Sequence, residues 1–540
     1  MPVVNVVRKN FYRDSIQLMR LTEDAKKLPG VADAVISMGT DTNMLLLRQL
    51  GLLSPDGEGA HDGDLVLAVK VEGGQDVNRI VESVVQLVMA PSSGAAERET
   101  TGELFYSVDS AVKQVVGANL AIVSLPGNLA FEPAMELLEH GINVHLFSDH
   151  VSREDEARLK QYATSKGLLV LGPGAGTSLI NGVGLGFANV VRRGGIGIVA
   201  SAGTGLQEAS VLLDQLGLGV SHGLGVGGSD VSNEIGGIMM KDSLKLLETD
   251  GRTRVVMIVA KTPSETVMKE VMSFMNDGLS KPVVACFLGL DAQTSQNGRV
   301  VYARTLHSAV NLVSKISGGE ARARFKKALA MSSEQLKRQA LEMSRGLSGD
   351  QKYVRALYSG GTLAHETLLI YRELIGEAYS NTPLSRSFEL QNPTKSKGNT
   401  VIDLGDEFFT AGRPHPMIDP TMRRLRILEE GKDRGVAAIL LDIVLGYGSS
   451  ADPAGSLAGA ISDARAAAKS EDRNLVVMAH VCGTEADPQN LSSQLERMAK
   501  AGVVVYPTNA EMAVASALLI GGREAAEALD RKWEGLLGGD

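Results

Sequence analysis

The sequence predicts an α/β protein of several domains, with parallel sheets in its larger part and a smaller α+β domain ahead of them. Three observations carry that reading. Short apolar, partly β-branched runs alternate with helical patterns from about residue 120 onward, the rhythm of strand–helix–strand units in a parallel sheet. Several of these runs end in glycine-rich loops. Ile196 to Ala200, almost wholly apolar and suited to a strand buried on both faces, leads straight into Ser201-Ala202-Gly203-Thr204-Gly205. Finally, 540 residues exceed what one hydrophobic core organises, so about three or four domains are expected.

Composition narrows the class. Apolar residues at 44% and charged residues at 22% are ordinary for a soluble globular chain, and 60 glycines against 11 Phe, 10 Tyr and one Trp point to many strand–loop–helix turns. A net charge of -9 argues against a nucleic-acid partner. No apolar run approaches the roughly 20 residues a membrane span needs, and MPVVNVVRKNFYRD lacks the apolar core of a signal peptide, so a cytoplasmic chain without a membrane partner is expected. Cys286 and Cys482 lie in apolar runs with no CxxC anywhere, which reads as reduced thiols at strand positions. No HExxH or close His/Cys/Asp cluster occurs, and His365-Glu366 has no second histidine four residues after the first, so no metal site is expected. Neither a G-x-G-x-x-G fingerprint with its later acidic residue nor a G-x-x-x-x-G-K-[ST] loop is present.

Taken in order, residues 3–9, 31–38 and 64–71 read as strands among helical patterns near 14–28, 41–52 and 76–89, a compact α+β domain of the β-α-β kind. A polar linker is expected near 91–105. A helix around 110–116 and strands at 120–124, 144–147 and 168–171 follow, the last ending in Gly172-Pro173-Gly174-Ala175-Gly176-Thr177-Ser178. Helical patterns cover 132–139 and 152–165. After 196–200 come strands at 255–259 and 283–288 with helices at 241–248 and 264–277. Residues 320–346 are charged and helical, a spacer between halves. Tyr358-Ser359-Gly360-Gly361-Thr362 precedes a helix through Leu374, and 380–398 reads as an exposed loop. The last unit has strands at 401–404, 437–444, 475–479 and 503–506.

The glycine loops are candidate anion sites, because backbone N–H groups gather where helices begin at the carboxyl edge of a parallel sheet. Ser201, Gly203, Thr204 and Gly205, with Gly227 and Gly228 after the next strand, form the first; Gly172 and Thr177 mark a second. Apolar residues at 206, 209, 212, 213 and 216 predict a helix after the first loop, and Thr204 with Gln207 fits a capping box, so the alternative is a threonine that only caps. Gly448 and Gly483 each open a G-x-x-A-D-P string, read as glycine loop, Asp cap and Pro at the first helical position, and Asp419-Pro420 repeats the device. In Gly412-Arg413-Pro414-His415-Pro416, prolines stiffen a loop whose Arg413 could grip a carboxylate or phosphate and whose His415 could move a proton. The alternative is a rigid turn or subunit contact. His222, His307 and His480 sit in or near apolar runs and read as packed histidines.

These strings resemble a known family. IGIVASAGTGLQE followed by LGVGGSD, with Leu168-Leu-Val-Leu-Gly-Pro-Gly before them, is similar to the succinyl-CoA synthetase α subunit. The final unit, with Asp403-Leu-Gly and G-x-x-A-D-P, is similar to the carboxyl-terminal domain of its β subunit. The SGGTLAHE and GRPHPMIDP strings, followed by G-x-x-A-D-P, resemble FdrA, a fused relative of both subunits. The resemblance implies an N-terminal α+β domain (1–105), a Rossmann-like CoA-binding-type domain (106–192), a flavodoxin-like domain (193–320), a helical linker (321–350) and a second flavodoxin-like domain (351–540). The departures bear on chemistry. The Gly-His-Ala-Gly loop carrying the synthetase's phosphorylated histidine is absent, the stretch after Phe287-Leu-Gly reading LDAQTSQNGRVV, and no region resembles an ATP-grasp domain.

The FdrA resemblance implies a subunit of an oxamate carbamoyltransferase in allantoin catabolism, converting oxalurate plus phosphate to oxamate plus carbamoyl phosphate with further subunits and no cofactor. Glycine-loop N–H groups would hold phosphate, Arg413 the oxamate carboxylate, and His415 or a partner's residue the amide proton. The alternatives are an acyl-CoA synthetase using CoA and ATP with a separate nucleotide-binding subunit, and a non-catalytic scaffold or regulatory subunit.

Overall fold

The computed structural model describes residues 1–11, 13, 15–89, 105–290, 296–297, 299–410 and 413–538. The expected linker near 91–105 lies outside the described residues except at its last position, as do Gly412 and residues 291–295 of the stretch after Phe287-Leu-Gly. The chain divides into two compact units, residues 1–104 with 404–422 and residues 105–403 with 423–540.

In the first unit, β1 (Val3–Arg8), α1 (Ser15–Lys26), β2 (Val31–Met38), α2 (Asp41–Gln49), β3 (Leu65–Val71) and α3 (Val77–Met89) build one three-stranded sheet with β3 central. Both outer strands run antiparallel to β3, so β1 and β2 are parallel to each other with a strand inserted between them, a split β-α-β unit. Ile80, Val84 and Val88 recur at helical spacing on α3 and are buried with Leu18, Ile36 and Leu67. Segment 404–422, which carries the short α14 (Glu407–Thr410), groups with this unit.

The second unit opens with α4 (Val108–Gln114), β4 (Leu120–Val123), α5 (Phe131–Glu139), β5 (Asn143–Leu146), α6 (Arg153–Lys166) and β6 (Val170–Leu171), its three strands forming a parallel sheet. Residues 177–186, of which only Thr177 and Ser178 are read from the sequence, as the end of a glycine loop, form the hairpin β7 (Thr177–Ile180) and β8 (Val183–Gly186), which pairs through β7 with the following sheet. That sheet contains β9 (Arg193–Ala200), β10 (Val220–Gly225), β11 (Val255–Lys261), β12 (Val283–Leu288), the two-residue β13 (Gln296–Asn297) and β14 (Val300–Ala303), in the order β13-β14-β12-β11-β9-β10-β7-β8. Its helices are α7 (Gly203–Gln215), α8 (Ile238–Thr249), α9 (Glu265–Gly278) and α10 (Leu306–Ile316).

After α11 (Gly319–Ala328) and α12 (Ser333–Ser344), a six-stranded parallel sheet of order β16-β17-β15-β18-β19-β20 follows. Its strands are β15 (Tyr353–Tyr358), β16 (Tyr379–Ser380), β17 (Thr400–Asp403), β18 (Val436–Val444), β19 (Val476–Cys482) and β20 (Val504–Tyr506), and its helices α13 (Gly361–Leu374), α15 (Thr421–Lys432), α16 (Pro453–Ser470), α17 (Leu491–Lys500) and α18 (Asn509–Leu536), kinked at Gly522. In both large sheets the first parallel strand is flanked by later ones, β9 by β10 and β11 and β15 by β17 and β18, the doubly wound arrangement of flavodoxin-like domains. One core joins the sheets: Leu206 and Leu213 of α7, Val310 of α10, Leu363 and Ile370 of α13 and Val514 of α18 are buried together.

Two expectations change here. Residues 320–346 are helical but are no free spacer, because Phe325, Leu329, Leu336 and Ala340 are buried in that same core. Segment 380–398 is no simple exposed loop, since Ser380 and Leu390 are buried and Tyr379–Ser380 adds an edge strand.

Candidate functional site

Each large sheet reverses strand order at β9 or β15, and there two helices begin with the same string, S-x-G-T-x-x-x-E. It is Ser201, Gly203, Thr204 and Glu208 on α7, and Ser359, Gly361, Thr362 and Glu366 on α13. Neither helix has a side-chain cap. The N-caps are Ala202 (φ -144, ψ 129) and Gly360 (φ -133, ψ 122), both extended. Thr204 is therefore the second helical residue, and the expected capping box with Gln207 does not form.

The two helix starts abut. A Cβ on Gly205 would lie 2.8 Å from Val259 Cγ1 and 2.9 Å from Thr362 Cγ2, and one on Gly360 would collide with Thr204. Glycine at both positions permits this approach. Two helix amino ends, each equivalent to about half a positive charge, repel when brought together, so the junction favours an anion. One carboxylate is already near: a Cβ on Gly361 would sit 2.5 Å from Asp403 Oδ2, so Asp403 lies against the first turn of α13.

Most of the expected anion residues gather at this edge. A Cβ on Gly203 would lie 3.4 Å from Thr177 Oγ1, and Thr177 Oγ1 donates to the Phe187 carbonyl at 2.6 Å. Gly227, at φ +87, approaches the Pro173 carbonyl and Gly172, while Gly228 is exposed with Ser201 O as its neighbour. Of the other two glycines, Gly448 is exposed beside the Phe187 ring and Gly483 is buried against Leu445. The first G-x-x-A-D-P string behaves as expected, Asp452 accepting from Gly455 N with Pro453 opening α16. The second does not. Asp487 is buried and accepts from Val190 N (2.7 Å), Thr484 N (2.8 Å) and Asn189 Nδ2 (2.9 Å), and Asn490 caps α17 instead. Pro420 directly precedes α15, and Asp419 Oδ1 accepts from Thr421 N at 3.0 Å.

Charged groups support the two helices from behind. Asp442, fully buried on β18, accepts from Ser359 N (2.8 Å), Ser359 Oγ (2.9 Å) and Arg423 Nη2 (2.9 Å). Glu208 and His480 pair at 2.7 Å in the interior; burial alone would lower His480, but the Glu208 carboxylate raises its pKa above the ordinary value. His480 is thus more than a packed histidine. Glu366 accepts from Leu306 N (2.7 Å) and Asn509 Nδ2 (2.8 Å), and burial pushes its pKa up to about 7. Lys160, also fully buried, pairs with Glu156 on its own helix and ties α6 to the loop after β10 through Asp230 and the Val226 carbonyl.

Arg413 and His415 lie in the first unit, whereas the glycine loops lie in the second. Arg413 is buried, with Nη2 3.9 Å from Asp419 Oδ2, and its Nη1 has no hydrogen-bond partner among the described residues. His415 Nδ1 accepts from Met417 N at 3.3 Å. His307 is packed as expected, edge-on to Phe325, and Asn181 N donates to Nδ1 of the half-buried His222. Cys286 and Cys482 are buried free thiols on β12 and β19. Among the described residues no His/Cys/Asp/Glu cluster could hold a metal, and no helix is long and apolar enough to cross a membrane.

Sequence reasoning missed Ser359, Gly360 and Thr362 as partners of the first loop. The signal was the repeated S-x-G-T with Glu seven residues after the Ser, visible once the two helix starts are aligned.

Comparison with known proteins places this geometry among relatives. Residues 357–519 match the CoA-ligase family, and residues 1–103 match the AllF heavy metal-associated domain, although this chain has no cysteine before Cys286. YahF of Escherichia coli K12, itself uncharacterized, is 39% identical over 512 residues, covering 94% of this chain and 96% of YahF. The α subunit of the ADP-forming succinate–CoA ligase of Methanothermobacter thermautotrophicus is 26% identical over 224 residues, covering 41% of this chain and 74% of that subunit. Among solved structures, the dinucleotide-forming acetyl-coenzyme A synthetase 1 of Ca. Korarchaeum cryptofilum in complex with phosphate and ADP covers 82% of this chain and 89% of its own at 15% identity, with a TM-score of 0.31.

Proposed function

We infer the function from a plain premise: the chain belongs to the family of YahF of Escherichia coli. On it we propose that the protein is one subunit of an acid–thiol ligase of the succinyl-CoA synthetase kind, exchanging an acyl group between phosphate and the thiol of CoA. This replaces carbamoyl transfer as the leading reading, because residues 357–519 match the CoA-ligase family and succinate–CoA ligase α subunits align with the chain. The observation that carries it is the abutment of α7 and α13 at two strand-order reversals, each starting without a side-chain cap.

In this reading the first-turn N–H groups of α7, with Ser201, hold the phosphoryl oxygens. Departing phosphate is stabilised by donors already in place, so little reorganisation is needed as charge develops. The α13 start closes the site from the other half, Thr362 against Gly205. Asp442 fixes the Ser359 loop, and Glu208–His480 and Glu366 anchor both helices from behind. The loops at Gly172 to Thr177 and Gly227 to Gly228 offer an adjoining anionic subsite for CoA. In this reading nucleotide enters through a separate chain.

Two observations favour the carbamoyl reading as second: the string that carries phosphate on histidine in the synthetase is absent, and residues 1–103 match the AllF domain. There phosphate at the same helix starts would be a free substrate. The test is to purify the protein with its native partners and assay two reactions in parallel. ATP- and CoA-dependent thioester formation over a panel of carboxylic acids is expected. Turnover of carbamoyl phosphate with oxamate alone replaces the first reading by the second, and a complex inactive in both is left with neither.

A further inference from the structure

The Arg413 guanidinium is buried without being satisfied. Arg413 is 9% exposed and its side chain 6%. Among the described residues Nη1 is enclosed with no hydrogen-bond partner, and the group's ionic contact, Nη2 to Asp419 Oδ2, spans 3.9 Å, beyond hydrogen-bond reach. Other buried arginines of the chain are paired directly, even where Nε is left over, as in Arg423 and Arg426. Arg355 Nε meets Glu430 at 2.8 Å, Arg423 Nη2 meets Asp442 at 2.9 Å and Arg426 Nη2 meets Glu430 at 2.6 Å. A cationic fork of N–H donors taken out of water is costly unless those donors are met. Burial accordingly pushes the Arg413 pKa down, with Asp419 alone opposing.

The loop keeps Asp419 from closing the gap. Asp419 Oδ1 accepts from Thr421 N (3.0 Å) and Thr421 Oγ1 (2.6 Å), and Asp419 N donates to the His415 carbonyl at 3.0 Å, so its side chain and backbone are both held at the head of α15. Arg413 N donates to the Thr410 carbonyl at 3.0 Å, and Pro414 and Pro416 fix φ between the two charged residues. The outcome is a stiff cradle holding a cation that lacks acceptors, with one carboxylate oxygen nearby. That oxygen decides what fits. A dianion is repelled by Asp419, whereas a monoanion with two coplanar oxygens matches the fork at less electrostatic cost.

We propose that Arg413 anchors a binding site for a small organic acid in the first unit, its guanidinium donating to both oxygens of one carboxylate. The low exposure of the side chain restricts the ligand to a small solute or to the carboxylate end of a larger one. The inference asks for binding alone and stands whether or not the ligase reading does.

The test uses the full chain. Arginine-labelled protein is titrated by NMR with acetate, glycolate, oxamate, phosphate and chloride at one ionic strength and at about pH 8, where phosphate is mostly a dianion. The Arg413 Nε–H signal is assigned by its loss in Arg413→Met. At least one carboxylate should shift it saturably and bind about tenfold or more tighter than phosphate or chloride. No saturable shift with any carboxylate, or phosphate or chloride binding as tightly, overturns the proposal. Arg413→Lys keeps the charge without the fork and should weaken that carboxylate about tenfold or more; undiminished affinity overturns the two-oxygen grip. Thermal unfolding is the second readout. The carboxylate should raise the midpoint of the parent and leave that of Arg413→Met unmoved. Without ligand, Arg413→Met should unfold no lower than the parent, because a buried charge without hydrogen bonds is removed. A clearly lower midpoint for ligand-free Arg413→Met means that the guanidinium is already satisfied by the protein, and it overturns the site.

Discussion

Gly205→Ala probes the helix junction most directly. The new methyl would stand 2.8 Å from Val259 Cγ1 and 2.9 Å from Thr362 Cγ2, closer than carbon atoms pack, so α7 or α13 must move. Two effects on stability oppose each other. Replacing helical glycine with alanine contributes about 1 kcal/mol, while overpacking costs about 1–3 kcal/mol, so the net loss should be no more than about 2 kcal/mol. Binding has no such compensation. A helix start aimed at a partly buried anion is worth up to about 2 kcal/mol, and misaiming one should raise the Kd for phosphate about tenfold. Calorimetric titration with phosphate, beside thermal unfolding, separates the two quantities. Gly459→Ala is the control: it lies on α16 with open space where the methyl goes, and should gain helix stability with phosphate binding unchanged. A folded Gly205→Ala protein that binds phosphate as tightly as the parent, or a parent that binds none, refutes the joined-helix site.

Three further outcomes follow from interior charges. Glu366 ionises near pH 4.5 when unfolded but near 7 in place, so its contribution is full below pH 4.5 and falls by about 3 kcal/mol as pH rises through 7. Glu366→Gln should remove that slope between pH 4.5 and 8 in urea unfolding; parallel profiles for the two proteins would contradict it. Asp487→Ala strands three buried N–H donors, so a loss of about 3–5 kcal/mol is expected, seen as a lower unfolding midpoint that Asp487→Asn only partly restores. Asp403→Asn removes a negative charge from beside α13 and should tighten phosphate binding severalfold, measured by the same titration; weakened binding would show that Asp403 positions the helix rather than opposes the anion.

Much of this architecture was legible because its signals are local. Apolar runs such as Val283 to Leu288, buried at every position, can only be interior strands, and Asp452-Pro453 opens a helix as its residue types require. The loops at 201–205, 172–177 and 227–228 were identified as anion candidates one by one, from glycine and position. What stayed hidden depends on partners distant in sequence. Asp487 has the same neighbours in sequence as Asp452, yet accepts from Asn189 and Val190 almost 300 residues away, a contact no local pattern encodes. Glu208 with His480 is likewise invisible until the sheets share a core. The hairpin at 177–186 was missed because Val183-Gly-Leu-Gly, half of it glycine and largely exposed, offers little apolar alternation.

The two halves repeat one design but are not electrostatically equal, and in the proposed reading the difference indicates which helix would hold the anion. In strand register Ala200 pairs with Gly225 on one side and Val259 on the other. Its counterpart Tyr358 pairs with Asp403, and Leu357 with Leu441, which brings Asp442 beside Tyr358. The second half therefore has carboxylates at two positions where the first has glycine and valine. Asp442 is spent on Ser359 and Arg423, holding the loop rigid, and Asp403 lies against the α13 start and offsets part of its positive end. At α7 those same positions carry no charge, and Ser201 N donates to the plain Val259 carbonyl. In the proposed reading an incoming phosphate would thus meet the unopposed field of α7, while α13, already partly neutralised by its own strands, would stand beside it without strong repulsion and present Thr362.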